Sequence, residues 1–207
     1  SIQQFYGIEI NDFAVTVAKT ALWIAESQML EETKRIVNGF KGSFLPLKTY
    51  VNIAEGNALR MNWNDVVPAC ELSYIMGNPP FVGATICNAE QKKEIVDIVG
   101  KIKLSNSLDY VVGWYYKAAE MIKNTAIRVA FVSTNSVTQG EQVFPMWNRL
   151  LNEYKIHIDF AYKTFVWDSE ASDKAHVHCV IIGFSNSYVG DKFLYDNGMC
   201  RRCENIS

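Results

Sequence analysis

The stretch that decides the fold runs Leu72-Ser73-Tyr74-Ile75-Met76-Gly77-Asn78-Pro79-Pro80-Phe81. Its first half, Leu72–Met76, is an apolar run of strand length, and Gly77 ends it. The two consecutive prolines then fix the backbone and remove two N–H donors. The carbonyls there have no neighbouring donors competing for them. Asn78 adds a side-chain acceptor, and Phe81 adds a flat apolar face. Two acceptors beside an aromatic plate suit a planar ring bearing an amino group. In an open α/β sheet, ligands bind just beyond the carboxyl ends of strands, where these residues stand.

Outward from this stretch, short apolar runs alternate with longer helical ones, which points to an α/β fold. Gln4–Ile10 reads as a strand. Asn11 or Asp12 then caps a helix carrying Val15, Ala18, Leu22 and Ala25 to about Leu30. Charged Glu31–Lys34 with Gly39, Gly42 and Pro46 reads as a loop. Tyr50–Ala54 is a second strand and Leu72–Met76 a third. The polar stretch from Ala84 to Asn106 predicts one short helix and a loop. Leu108, Val111, Val112, Tyr115, Ala119 and Ile122 trace one helical face. Ile127–Ser133 predicts a strand and Pro145–Glu153 a helix. His157–Ala161 and Ala175–Phe184 follow as strands, and Lys192–Tyr195 as an edge strand. No composition shift marks a boundary, so residues 1–207 read as one domain, with 196–207 a candidate start of a linker or of a next domain.

The 207 residues are 49% hydrophobic and 20% charged, a balance that excludes global disorder. The net charge of −2 is unlike a domain that grips DNA mainly through its phosphates, so nucleic-acid binding needs most of its grip from other segments. No apolar run has the length of a membrane span, and no leader pattern opens the chain. Five irregularly spaced cysteines read as reduced thiols of a cytoplasm. The chain opens with Ser and soon enters a strand-like segment, which reads as part of something longer. His176 and His178 share a strand face, and Cys200 and Cys203 have zinc-knuckle spacing, but neither pair has further ligands at suitable spacing, so no metal site is assigned. Lys92, Lys93 and the Lys101–Lys103 region read as a solvated helix face, or as contacts to phosphate.

Asn78-Pro79-Pro80-Phe81 resembles the catalytic tetrapeptide of amino-group methyltransferases that use S-adenosylmethionine. In that family an Asn-Pro-Pro-aromatic run marks enzymes that methylate the exocyclic amino group of adenine, and a related branch methylates protein Gln. The resemblance implies catalytic roles for Asn78, Pro79, Pro80 and Phe81. It implies cofactor contacts from Glu9 with Ile10 at the end of a strand, from Asn57 with Ala58 after the next strand, and from Asn78. Glu9 would bind the ribose hydroxyls. Many relatives carry Asp where Asn57 stands, so the contact to the cofactor's adenine is altered in charge. The flipped target base would stack on Phe81 and be held by Phe165, with Trp167 as the alternative.

Four longer runs resemble the MmeI-type restriction–modification proteins in particular. They are Gly77–Gly83, Leu108-Asp109-Tyr110, Thr138-Gln139-Gly140-Glu141-Gln142 and Ala175–Phe184. The implied fold is the Rossmann-like class I methyltransferase fold. The family's first strand, which lies between the second and fourth, and its Gly-rich cofactor loop have no counterpart here. Their absence predicts a gap or a rearranged sheet, and little cofactor binding or activity by the 207 residues alone. The implied activity is N6 methylation of adenine in DNA within a restriction–modification protein of a bacterial or archaeal cytoplasm. The implied partners are DNA, held mostly by other parts, and further domains of the same chain, with no membrane. Methylation of RNA or of protein Gln, and a structural core without activity, are the alternatives.

Overall fold

The computed structural model describes residues 2–40, 52–100, 107–167, 177–187 and 190–206. The chain divides into two compact units, Ser1–Pro68 and Ala69–Ser207, where composition suggests a single domain. Both units carry the same mixed α/β patterning, so no compositional break marks the division.

In the first unit, β1 (Gly7–Glu9) pairs in parallel with β2 (Ile53–Glu55), with Glu9 level with Glu55. A 3-10 turn, Ile2–Gln4, occupies the start of the expected strand and shortens it. Between the strands runs α1 (Asp12–Ile36). Asn11 caps it, its side chain accepting the Ala14 N–H at 2.9 Å. The helix outlasts its expected end by about two turns, because charged residues are good helix formers. Glu31 pairs with Lys34 and Glu32 with Arg35, and the two bases sit at the carboxyl-terminal end of the helix dipole.

The second unit is built on a six-stranded sheet of order β3-β4-β6-β5-β7-β8. Its strands are β3 (Tyr74–Gly77), β4 (Arg128–Thr134), β5 (His157–Trp167), β6 (Val177–Ser185), β7 (Lys192–Asp196) and β8 (Met199–Cys203). Its helices are α2 (Ala89–Val99), α3 (Val112–Met121) and α4 (Val143–Asn152). The pairings make β3, β4, β5 and β7 run one way and β6 and β8 the other. The carboxyl ends of β3, β4 and β5 therefore share one end of the sheet with the start of β6.

One expectation at the far edge is corrected. β7 is not an edge strand, because Met199–Cys203 folds back beside it as β8. Asn197 and Gly198 form a two-residue turn with φ of 47° and 79°, the backbone that an Asn-Gly hairpin demands.

Packing centres on Tyr115 of α3. Its ring stacks on Phe184 at 5.4 Å and meets Phe131 and Trp147 edge-on. Each such pair contributes about 0.5–1.5 kcal/mol beyond simple burial. The Tyr115 hydroxyl lies 2.8 Å from the Ser133 hydroxyl, so both buried polar groups are satisfied, and burial pushes the phenol above its ordinary range. This core fixes α3 against β4 and β6, from Ser133 near the carboxyl end of β4 to Phe184, level with Val129 near its other end. The expected 101–103 basic cluster and His176 lie outside the described residues.

Candidate active site

Gly77 closes β3 level with Phe131 of β4. A Cβ at Gly77 would lie 3.3 Å from the Phe131 ring, which explains the small residue at the point where the loop departs. Asn78 is exposed, Pro79 buried, Pro80 exposed and Phe81 half-buried. The Val82 N–H donates to the Pro80 carbonyl at 3.1 Å. Among the described residues no hydrogen bond engages the Asn78 side chain or the Pro79 carbonyl. Two adjacent acceptors are thus left available on a rigid segment, on a half-exposed strand end.

The loop is held from behind. The Tyr110 N–H donates to the Val82 carbonyl at 2.9 Å, and the Ala84 N–H to Asp109 Oδ1 at 2.8 Å. Asp109 Oδ2 also accepts from Ser136 Oγ, in the turn after β4, and from Gln142 Nε2 at 2.7 Å, just before α4. Gln142 Oε1 in turn accepts the Asp109 N–H at 2.9 Å. The sequence assigns no function to these three polar side chains. The signal lies in the Leu108-Asp109-Tyr110 and Thr138–Gln142 runs, but only folding joins them.

Phe165 and Trp167 sit inside β5, not in a loop before β6. Tyr162 is level with Ile181 and Phe165 with Cys179, so β5 carries one residue more than its partner there. Such a bulge re-aims side chains and is common beside functional sites. Phe165 is half-buried and Trp167 is 38% exposed, with ring centroids 6.5 Å apart. Thr134, Cys179 and Phe165 are neighbours in one row across β4, β6 and β5. β3 and β5 are three strand spacings apart, about 14 Å.

Glu9 and Asn57 belong to the first unit. Glu9 is half-buried at the carboxyl end of β1, with Oε1 accepting the Asn11 N–H at 3.0 Å. Among the described residues no hydrogen bond engages Oε2. Ile10, beside it, is 67% exposed. Asn57 and Ala58 are half-buried in the turn after β2. Asn57 Oδ1 accepts the Leu59 N–H at 2.9 Å and the Ala58 carbonyl accepts from the Trp63 indole at 2.8 Å. Asn57 therefore has a structural task in this turn. Cys200 and Cys203, three residues apart on β8, point to opposite faces of the sheet and do not converge on a metal.

Residues 1–196 match the family model described as MmeI, DNA-methyltransferase domain. The chain belongs to this family. It is 48% identical over 186 residues to DNA methyltransferase A of Bacillus subtilis (strain 168), covering 89% of this chain and 21% of that protein. The type IIL restriction-modification enzyme MmeI, solved in complex with DNA, superposes with a TM-score of 0.93 at 42% identity, over 100% of this chain and 28% of that one. The ATP-dependent type ISP restriction-modification enzyme LlaBIII, solved bound to DNA, matches with a TM-score of 0.52 at 16% identity, over 92% of this chain and 15% of that one. This last likeness is one of fold alone. The chain thus spans about a fifth of the length of the curated relative it matches. No helix among the described residues is long and apolar enough to cross a membrane.

Proposed function

We propose that this protein methylates the exocyclic N6 amino group of adenine in DNA, using S-adenosylmethionine, as part of a bacterial restriction–modification protein with the Rossmann-like class I methyltransferase fold. The observation that carries the reading is the pair of unengaged acceptors, the Asn78 side-chain oxygen and the Pro79 carbonyl, at the end of β3. Family membership makes methyl transfer to DNA the reaction class.

The chain's groups fit the ribose end of the cofactor. Glu9 offers a carboxylate oxygen that no described residue engages, and a carboxylate accepts hydroxyl donors well. Ile10 and Ala58 offer apolar contact to the cofactor, and Asn57 is the polar residue for its adenine amino group. S-adenosylmethionine supplies, when bound, an electrophilic methyl group on a sulfonium. A duplex hides the target base, so the base must leave the stack, and Phe81 provides a ring on which it stacks. Phe165, with Trp167 beside it, supports the base from β5. Asn78 Oδ1 and the Pro79 carbonyl each accept one hydrogen of the amino group. The amino nitrogen then turns from planar toward tetrahedral, and its lone pair leaves the ring and becomes nucleophilic. Pro79 and Pro80 carry no N–H to compete for those oxygens and hold them in place. Catalysis here is positioning and oriented dipoles, with no covalent intermediate on the protein.

The test is nucleoside mass spectrometry on DNA from cells expressing the full-length protein, with Asn78→Ala beside it. The expected result is N6-methyladenine that falls by roughly 100-fold or more in the variant. Methylation that persists in the variant rejects the assignment. Unmethylated DNA alongside methylated RNA or protein Gln would move the substrate.

A further inference from the structure

Asp109 is buried at 9% exposure, and among the described residues no ion pair involves it. A buried carboxylate is costly unless donors satisfy it. Here the donors come from three separate segments: the Ala84 N–H at the end of the Asn-Pro-Pro-Phe loop, the Ser136 hydroxyl after β4, and the Gln142 amide before α4. Hydrogen bonds to an ionised acceptor are about twice as strong as neutral ones. Together with the Tyr110 N–H on the Val82 carbonyl, they anchor the loop's far end at positions 82 and 84. Its near end is anchored by Gly77 in β3. Asn78, Pro79, Pro80 and Phe81 are the residues suspended between the two anchors.

We propose that Asp109 is a positioning residue for methyl transfer, acting through the loop and not by touching the substrate; this rests on the reading of that loop as the catalytic segment. The carboxylate is required because all its partners donate. An amide at position 109 would set its own NH2 against the Gln142 NH2, while the Ser136 hydroxyl can rotate to accept. Gln142 cannot turn over to relieve the clash, because its oxygen already accepts the 109 N–H. Exchanging the two groups, Asp109→Asn with Gln142→Glu, removes the conflict. The carboxylate, now at position 142, accepts both the 109 N–H and one hydrogen of the new amide. Ser136 rotates to accept the other hydrogen, and the amide oxygen at position 109 keeps the Ala84 N–H.

The experiment uses the full-length protein and compares wild type, Asp109→Asn, the double exchange, Ser136→Ala and Asn78→Ala. Two quantities are read: amide hydrogen exchange over residues 78–84, and kcat for DNA methylation beside the dissociation constants for S-adenosylmethionine and DNA. A misplacement of about 1 Å costs on the order of 100-fold in rate. Asp109→Asn should therefore lower kcat by roughly 10- to 100-fold, leave both dissociation constants within about twofold, and speed exchange in the loop but not in β4. The double exchange should restore loop protection and most of kcat. Ser136→Ala, a milder loss, should move both quantities the same way, and it carries the test if Asp109→Asn does not fold. Unchanged loop exchange in a folded variant overturns the proposal. So does a loosened loop with wild-type kcat, or a double exchange that restores protection without kcat, which would mark the carboxylate as a chemical participant. If wild type does not methylate DNA and Asn78→Ala changes nothing, the functional reading fails instead, and loop exchange alone decides the anchoring role.

Discussion

Asp159 shows how a single side chain carries the cost of its place in the fold. It is buried in β5, where loss of solvent pushes its carboxyl above the ordinary value of 3.8. The Ser185 hydroxyl donates to it at 3.0 Å and pulls the other way, as do the charges of Arg128, His157 and Lys192. A carboxyl raised in the folded state contributes fully below its unfolded value, and that contribution is lost as pH rises through the folded value. At neutral pH the ionised group is therefore a net cost. Asp159→Asn, which keeps an acceptor for Ser185, should raise Tm at pH 7, and the gain should disappear near pH 3. Equal gains at both pH values would show that packing, not charge, is responsible. Asn78 is a contrasting residue. The task proposed for it requires exposure, and its place just after a strand was legible because an apolar run, a glycine and two prolines are all local signals.

At the scale of elements, the central sheet depends on one close approach. Gly183 of β6 lies between Ala130 of β4 and Phe160 of β5. A Cβ there would fall 2.1 Å from the Phe160 ring. Gly183→Ala should cost about 1–3 kcal/mol as the ring is forced aside. Urea denaturation should show a lower midpoint at unchanged slope. Adding Phe160→Leu should recover part of the loss, and no recovery would place the strain elsewhere. Elements with a clear period were legible: the Tyr115 face of α3 and the apolar runs of β3, β4 and β6 all lie within a few residues of where the pattern sets them. Elements whose ends depend on partners were not. β5 continues six residues past Ala161 because β6 and β7 pair with it. β8 follows an Asn-Gly signal that stands in the sequence, yet its polar, Cys-flanked Met199–Cys203 has no strand-like alternation. β7 supplies the hydrogen bonds that make it a strand.

For the molecule as a whole, β1 and β2 form one sheet and β3 to β8 another. Among the described residues β1 pairs only with β2, and β3 only with β4. The proposed ribose-binding carboxylate belongs to the first unit and the proposed catalytic acceptors to the second. The 207 residues carry no Gly-rich loop after a strand, so they should bind S-adenosylmethionine roughly tenfold or more weakly than the full-length protein, each tenfold being about 1.4 kcal/mol. Calorimetric titration of both measures this directly, and equal affinities would show that these residues suffice.

By itself the sequence determined the mixed α/β alternation, the loop that carries Asn78 and Pro79, and the family to which the chain belongs. The first two follow from signals within ten or so residues, namely hydrophobic period, caps and prolines, and the third from the resemblance of whole runs such as Gly77–Gly83. Only the tertiary structure decided that Asp109, Ser136 and Gln142 close on the back of that loop, that Phe165 is aimed by a bulge in β5, and that the strands fall into two sheets. Each of these depends on groups brought together from distant parts of the chain. A hydrogen bond between residues 84 and 109, or between 109 and 142, leaves no periodic trace in either segment.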